Sequence, residues 1–171
     1  VHPHIAADDT VLLWFGGLWN WLDPLTVVRA FARLATERAD VKLVFVAHMP
    51  ENLDNPSASM AAQTLALSRE LGLLDSRIIF HDPIPFTQRG GLLLEVDAGL
   101  CHHPAHLETA FSFRTRILDY IWAGLPTVTA RGDVFGEWVA AEGLGYAVPP
   151  GDTDALYNAL RALVAEPDPR N

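Results

Sequence analysis

Along the chain, short runs of aliphatic, β-branched and aromatic residues alternate with longer stretches whose apolar positions return at every third or fourth residue. The short runs are Thr10 to Phe15, Lys42 to Ala47, Arg77 to His81, Ala98 to His102, Pro126 to Ala130 and Tyr146 to Val148. Val11-Leu-Leu-Trp-Phe and Leu43-Val-Phe-Val are continuously apolar, as strands covered on both faces require; a half-exposed strand would alternate. Strand-length and helix-length segments taking turns predict βα units around a parallel sheet. The expected fold is therefore α/β, Rossmann-like, an open doubly wound parallel sheet of about six strands with helices on both faces, filling residues 1–171 as a single domain.

Helix boundaries carry their own signals. Asp23 followed by Pro24 sets an N-cap before the preferred first helical residue, and Leu25, Val28, Phe31, Ala32 and Leu34 form the apolar stripe behind it. Ser57 is the expected cap of a helix running to Leu71, with Gly72 as its left-handed terminus. Asp133 and Gly143 bracket another, and Asp152 caps a last helix over Thr153 to Ala165. Pro50 to Pro56 reads as a polar loop.

Composition narrows the function. A net charge of −9 over 171 residues argues against a nucleic-acid partner, which selects for a basic stripe. Lys42 is the single lysine and lies in an expected strand, so no P-loop is present. One cysteine, Cys101, allows neither an internal disulfide nor a thiolate metal site. No run has the length of a membrane span, and Val1 to Asp9 lacks the order of a signal peptide. The expected location is cytoplasmic, with peripheral attachment to the inner membrane face open for a full-length protein.

Ligands of open parallel sheets bind beyond the carboxyl ends of the strands. After the first expected strand, Gly16-Gly17 allows backbone to approach a ligand or simply turns the chain. Trp19 and Trp21 in the same loop need a cover, and a partner surface is favoured over ligand stacking. After the fourth lies His102-His103-Pro-Ala-His106-Leu-Glu108-Thr-Ala-Phe-Ser112-Phe113-Arg114-Thr-Arg116. The three histidines lack the ligand spacing of a zinc site, so no metal is expected. Ser112 reads as the N-cap of a helix over Phe113 to Ala123, whose free N–H groups would meet an anion together with Arg114 and Arg116. Asp119 suits either an intrahelical pair with Arg116 or the two hydroxyls of a ribose. Arg131 and Asp133 follow the fifth strand, Asp133 reading equally as a plain cap.

The run from Arg114 through Asp119 and Ala123-Gly124-Leu-Pro to Val128, followed by Val148-Pro-Pro-Gly-Asp152, resembles the C-terminal domain of retaining GT-B glycosyltransferases of the group 1 (family 4) type. The likeness runs the length of the chain in order and is strongest from Glu108 to Asp152. By that resemblance Asp119 is the ribose-hydroxyl acceptor, Glu108 the catalytic carboxylate beside the transferred sugar and its phosphates, and Ile84, in Asp82-Pro-Ile-Pro-Phe86, a backbone cradle for the nucleobase. Two departures stand out. Glu108 and Asp119 are eleven positions apart, three more than in the family pattern, and Gly16 to Asp23 lacks the basic pair that relatives use on the donor diphosphate. Arg114 or Arg116 is the expected substitute.

The resemblance implies a donor-binding domain, with Gly16, Gly17, Ile84, Ser112, Phe113, Arg114, Arg116 and Asp119 around a nucleotide-diphosphate sugar. It implies no separate cofactor. Activity is expected only with an N-terminal acceptor domain, packed on Trp19 and Trp21, so the 171-residue chain alone is expected to be inactive. Two alternatives stay open: half of a GT-B-type sugar-nucleotide 2-epimerase, and a non-catalytic receiver-like signalling domain. The second fits poorly, since Asp8 and Asp9 precede their strand and no lysine follows the fifth.

Overall fold

A computed structural model describes residues 3–49 and 59–165. Its six strands are β1 (Thr10–Phe15), β2 (Val41–Val46), β3 (Ile78–His81), β4 (Ala98–Cys101), β5 (Thr127–Ala130) and β6 (Gly145–Val148), each within a residue of its expected bounds. They pair in parallel throughout, in the order β3-β2-β1-β4-β5-β6. The order reverses between β1 and β4, which opens a crevice beyond their carboxyl ends.

Seven α-helices occur among the described residues: α1 (Pro24–Glu37), α2 (Met60–Glu70), α3 (Arg89–Leu94), α4 (Leu107–Phe111), α5 (Thr115–Trp122), α6 (Val134–Ala141) and α7 (Thr153–Ala165). Successive β1 side chains point to opposite faces. Leu12 and Trp14 join Val28, Phe31 and Leu34 of α1 and Leu160 of α7 in one core layer. Val11 and Leu13 join Leu93 of α3 and Tyr120 of α5 in the other. Helices therefore cover both faces, and α1, α2 and α7 lie opposite α3 and α5.

Three aspartates cap as expected, each accepting from the backbone N–H three residues on: Asp23 from Thr26 (3.0 Å), Asp133 from Gly136 (2.7 Å) and Asp152 from Ala155 (2.8 Å). Ser57 and the whole Pro50–Pro56 loop lie outside the described residues; Ser59 caps α2, accepting from Ala62 N–H at 3.1 Å. The helix expected from Phe113 begins two residues later, at Thr115, and Ser112 is not its cap. The Ser112 hydroxyl turns back to donate to the Glu108 carbonyl at 2.8 Å, closing the short α4 that precedes it. Phe113 packs its ring on Phe135 of α6, 4.6 Å between centroids, which holds that residue out of helical register.

Tyr120 fixes α5 to the sheet. Its buried ring fills the space over Gly99, where a Cβ would come within 2.3 Å. Its hydroxyl accepts from Phe15 N–H at 2.9 Å and reaches the Leu100 carbonyl at 3.1 Å, tying the helix to the tips of β1 and β4. Burial pushes the phenol further above its ordinary range, so it stays a protonated donor.

Candidate functional site

The floor of the crevice is Phe15 at the end of β1 with Gly16-Gly17 after it, and His102-His103 after β4. His102 is buried, and its carbonyl accepts from Asp23 N–H at 2.9 Å while its Nε2 accepts from Gly151 N–H at 3.2 Å. One residue, through its backbone carbonyl and its ring, thus joins the loops that start α1 and α7. Burial pushes its pKa down to about 4, against the pull of Asp23, with His103 lowering it further. A neutral ring is what the Gly151 N–H needs as acceptor.

Arg114 and Arg116 stand at the start of α5 with different surroundings. Arg114 is buried. Its Nη2 donates to Glu108 Oε2 at 3.1 Å, and its Nε lies 3.8 Å from Asp133 Oδ2. Asp133 is wholly enclosed and also lies 3.4 Å from His103 Nε2. A chain of polar contacts therefore runs from Glu108 inward through Arg114 to Asp133 and His103. Glu108 itself is half-exposed, and the Ser112 hydroxyl, then Arg114, hold its carboxyl below the usual carboxylate range.

Arg116 reaches the other way. Its guanidinium crosses the end of β1, lying 4.9 Å over the Trp14 ring, and Nη2 donates to the Gly17 carbonyl at 3.1 Å. Nη1 is buried without a hydrogen-bond partner among the described residues. The loop that carries no cation of its own thus receives one from α5. Fewer backbone donors are available there than expected, because Thr115 N–H already bonds the Phe113 carbonyl and Ile117 N–H the Arg114 carbonyl.

Asp119 does not pair with Arg116. Its Oδ2 lies 3.3 Å from Nη1 of Arg89, whose guanidinium stacks 4.3 Å over Phe86. This links α5 to the Asp82–Phe86 loop and puts a carboxylate beside it. The Ile84 side chain faces a cavity of about 380 Å³ against Val46, Ile79 and Leu92. Phe113 lies at the α6 edge, with Phe135. Sequence reasoning missed Arg89 and the buried contact between Asp133 and His103; the only local signal for Arg89 is a cation just after the Pro-Ile-Pro-Phe turn. No cluster of His, Cys, Asp and Glu that could hold a metal ion occurs among the described residues, and no helix there is long and apolar enough to cross a membrane.

A doubly wound parallel sheet with helices on both faces and a switch point between β1 and β4 defines an α/β domain of the Rossmann-like class. The chain matches the family model for glycosyl transferases group 1 over residues 9–166 and belongs to that family. Among solved structures it resembles a glycosyltransferase from Rickettsia africae (15% identity, TM-score 0.74, covering 92% of this chain and 38% of that one). The C-terminal domain of a group 1 family glycosyl transferase from Francisella tularensis is similarly close (16% identity, TM-score 0.74, covering 92% and 76%). So is the Anabaena protein HepE in complex with UDP-glucose (20% identity, TM-score 0.73, covering 92% and 39%). The chain thus has the GT-B C-terminal-domain fold and spans about two fifths of the Rickettsia and Anabaena chains. Comparison with curated protein sequences gives no match.

Proposed function

We propose that this chain is the donor-binding half of a two-domain glycosyltransferase that moves a hexose from a nucleotide diphosphate to an acceptor hydroxyl with retention. The observation that carries the reading is Arg116, whose guanidinium lies across the Gly16-Gly17 turn where the family's diphosphate cations would otherwise come from the loop itself. On the α3 side of it, Asp119 and Arg89 flank the Asp82–Phe86 loop, a place for ribose and base. That HepE, with the same fold, is seen with UDP-glucose supports a nucleotide sugar as donor.

The barrier to transfer lies in departure of the diphosphate, so a preorganised positive charge at its oxygens stabilises the transition state. Arg116 supplies that charge. Glu108, aimed by Arg114, is the carboxylate nearest the transferred sugar, and Arg114 acts through it instead of gripping phosphate. Ser112 and Phe113 shape this lip from the loop, without a helix N-terminus behind them. An N-terminal domain brings the acceptor, in the cytoplasm or at the inner membrane face. Membership of the glycosyl transferase group 1 family leaves no support for the receiver-like reading, and no observation favours the epimerase.

Calorimetric titration of the chain with UDP, GDP and ADP, and with their sugars, tests the reading. One of the diphosphates is expected to bind, at least tenfold more weakly to Arg116→Ala and with part of the loss restored in Arg116→Lys. Transferase turnover is expected only with the second domain present. Binding of no diphosphate, or an affinity untouched by Arg116→Ala, would overturn it.

A further inference from the structure

The loop between Gly16 and Asp23 sorts its side chains in a way that a turn does not need. Leu18 and Leu22 insert into the core layer under α1. Trp19 and Trp21 point out of it, 54% and 51% exposed, and stack on each other at 5.4 Å between centroids and 11° between planes. The Trp19 indole lies against Gly17, where a Cβ would meet its Nε1 at 2.4 Å. Any side chain at 17 would displace it.

The loop is also tied down at every turn. Leu22 N–H donates to the Trp19 carbonyl at 2.9 Å, Asp23 N–H to the His102 carbonyl at 2.9 Å, and Met60 N–H to Asn20 Oδ1 at 3.0 Å. The indoles are thus held in place before anything meets them, and a rigid flat pair loses little entropy on binding. Gly17, under Trp19, is the residue whose carbonyl holds Arg116. The pair therefore begins two residues after the carbonyl that holds the crevice cation, on the α1 and α2 side, opposite Asp119 and Arg89.

We propose that Trp19 and Trp21 form a stacking platform for a pyranose ring, at the end of the crevice beyond Arg116. This rests on the donor reading, which lays base, ribose and diphosphate from Arg89 to Arg116 and so leaves the rest of the crevice to saccharide, of the donor or of the acceptor. Aromatic faces pair with the apolar C–H face of such a ring, and indole edges and Asn20 leave polar groups for its hydroxyls. A neutral polyhydroxy ligand also avoids the repulsion that a net charge of −9 sets against an anionic partner. Sequence pattern alone favours a polypeptide partner here; the prearranged stack beside the cation favours a small flat ligand.

Indole N–H signals of the ¹⁵N-labelled chain, assigned by single Trp→Phe substitutions, report the outcome. Three probes are titrated in parallel: UDP, UDP-glucose, and maltotriose. Saturable shifts at Trp19 and Trp21 are expected with a saccharide and at least tenfold weaker binding in Trp21→Ala, while UDP affinity is unchanged and Trp122→Ala, at another exposed indole, behaves as the parent. Shifts with maltotriose alone assign the ring to an acceptor; shifts with UDP-glucose beyond those of UDP assign it to the donor. Saccharides that leave both indoles unmoved while UDP binds would overturn the platform and leave the donor reading standing. Maltotriose shifts without any nucleotide binding would do the reverse. Concentration-dependent shifts with dimerisation in sedimentation, and none with saccharide, would assign the pair to a second copy and overturn the proposal.

Discussion

Arg114 and Arg116 sit two positions apart at the start of one helix, and the fold surrounds them in opposite ways. Arg114 turns inward between Glu108 and the enclosed Asp133, so its charge is matched by protein. Arg116 turns across the sheet end to a backbone carbonyl and an aromatic face, neither of which carries a formal charge. The contrast teaches that positive charge next to a strand end is no guide to ligand binding until its counter-ions are located. One arginine has its charge matched within the protein; the other, on the proposed reading, keeps its charge for the ligand.

The comparison breaks first, and most visibly, in Arg114→Ala. Removing that guanidinium leaves Asp133 buried beside no cation, and a loss of about 3–5 kcal/mol is expected in urea unfolding. A loss below about 1 kcal/mol would mean that Asp133 is satisfied by its cap role alone. Next in size is a pH effect at His102, under the same floor. Its folded pKa of about 4 lies below the ordinary 6.5, so the unfolded chain takes up the proton first as pH falls. Stability present above pH 6.5 is therefore lost between there and about 4, by at most about 1.4 kcal/mol per pH unit for one proton. Thermal unfolding of His102→Gln across that window should show a shallower fall than the parent; an unchanged slope would put the proton elsewhere. The smallest effect is expected for Arg116→Ala, about 1 kcal/mol from one hydrogen bond and the aromatic contact. If it destabilises as much as Arg114→Ala, the division between building and binding residues fails.

How far all this could be read in advance depended on whether the information was local. Strands such as Val11 to Phe15 announce themselves because burial on both faces leaves only apolar residues, and Asp23, Asp133 and Asp152 cap because their partners are three residues away. The start of α5 was not legible: Ser112 satisfies the local rule for an N-cap, but the four-residue return to the Glu108 carbonyl competes for the same hydroxyl, and Phe135 decides where Phe113 lies. The site divided likewise. That charge gathers after β4 is written in Arg114 and Arg116; which of them faces inward depends on Asp133, nineteen positions on, and whether Asp119 pairs with Arg116 or Arg89 depends on a residue thirty positions back.

The seating of Tyr120 over Gly99 has a consequence for how such sequences can change. A side chain at 99 has no room while the ring is present, and a smaller residue at 120 would leave both a void and a loose helix. Neither position can drift alone. Gly99 and Tyr120 therefore form a single unit of variation, and a lineage that alters one must pass through a compensating change in the other to keep α5, with Arg116 and Asp119 upon it, in its place against β1.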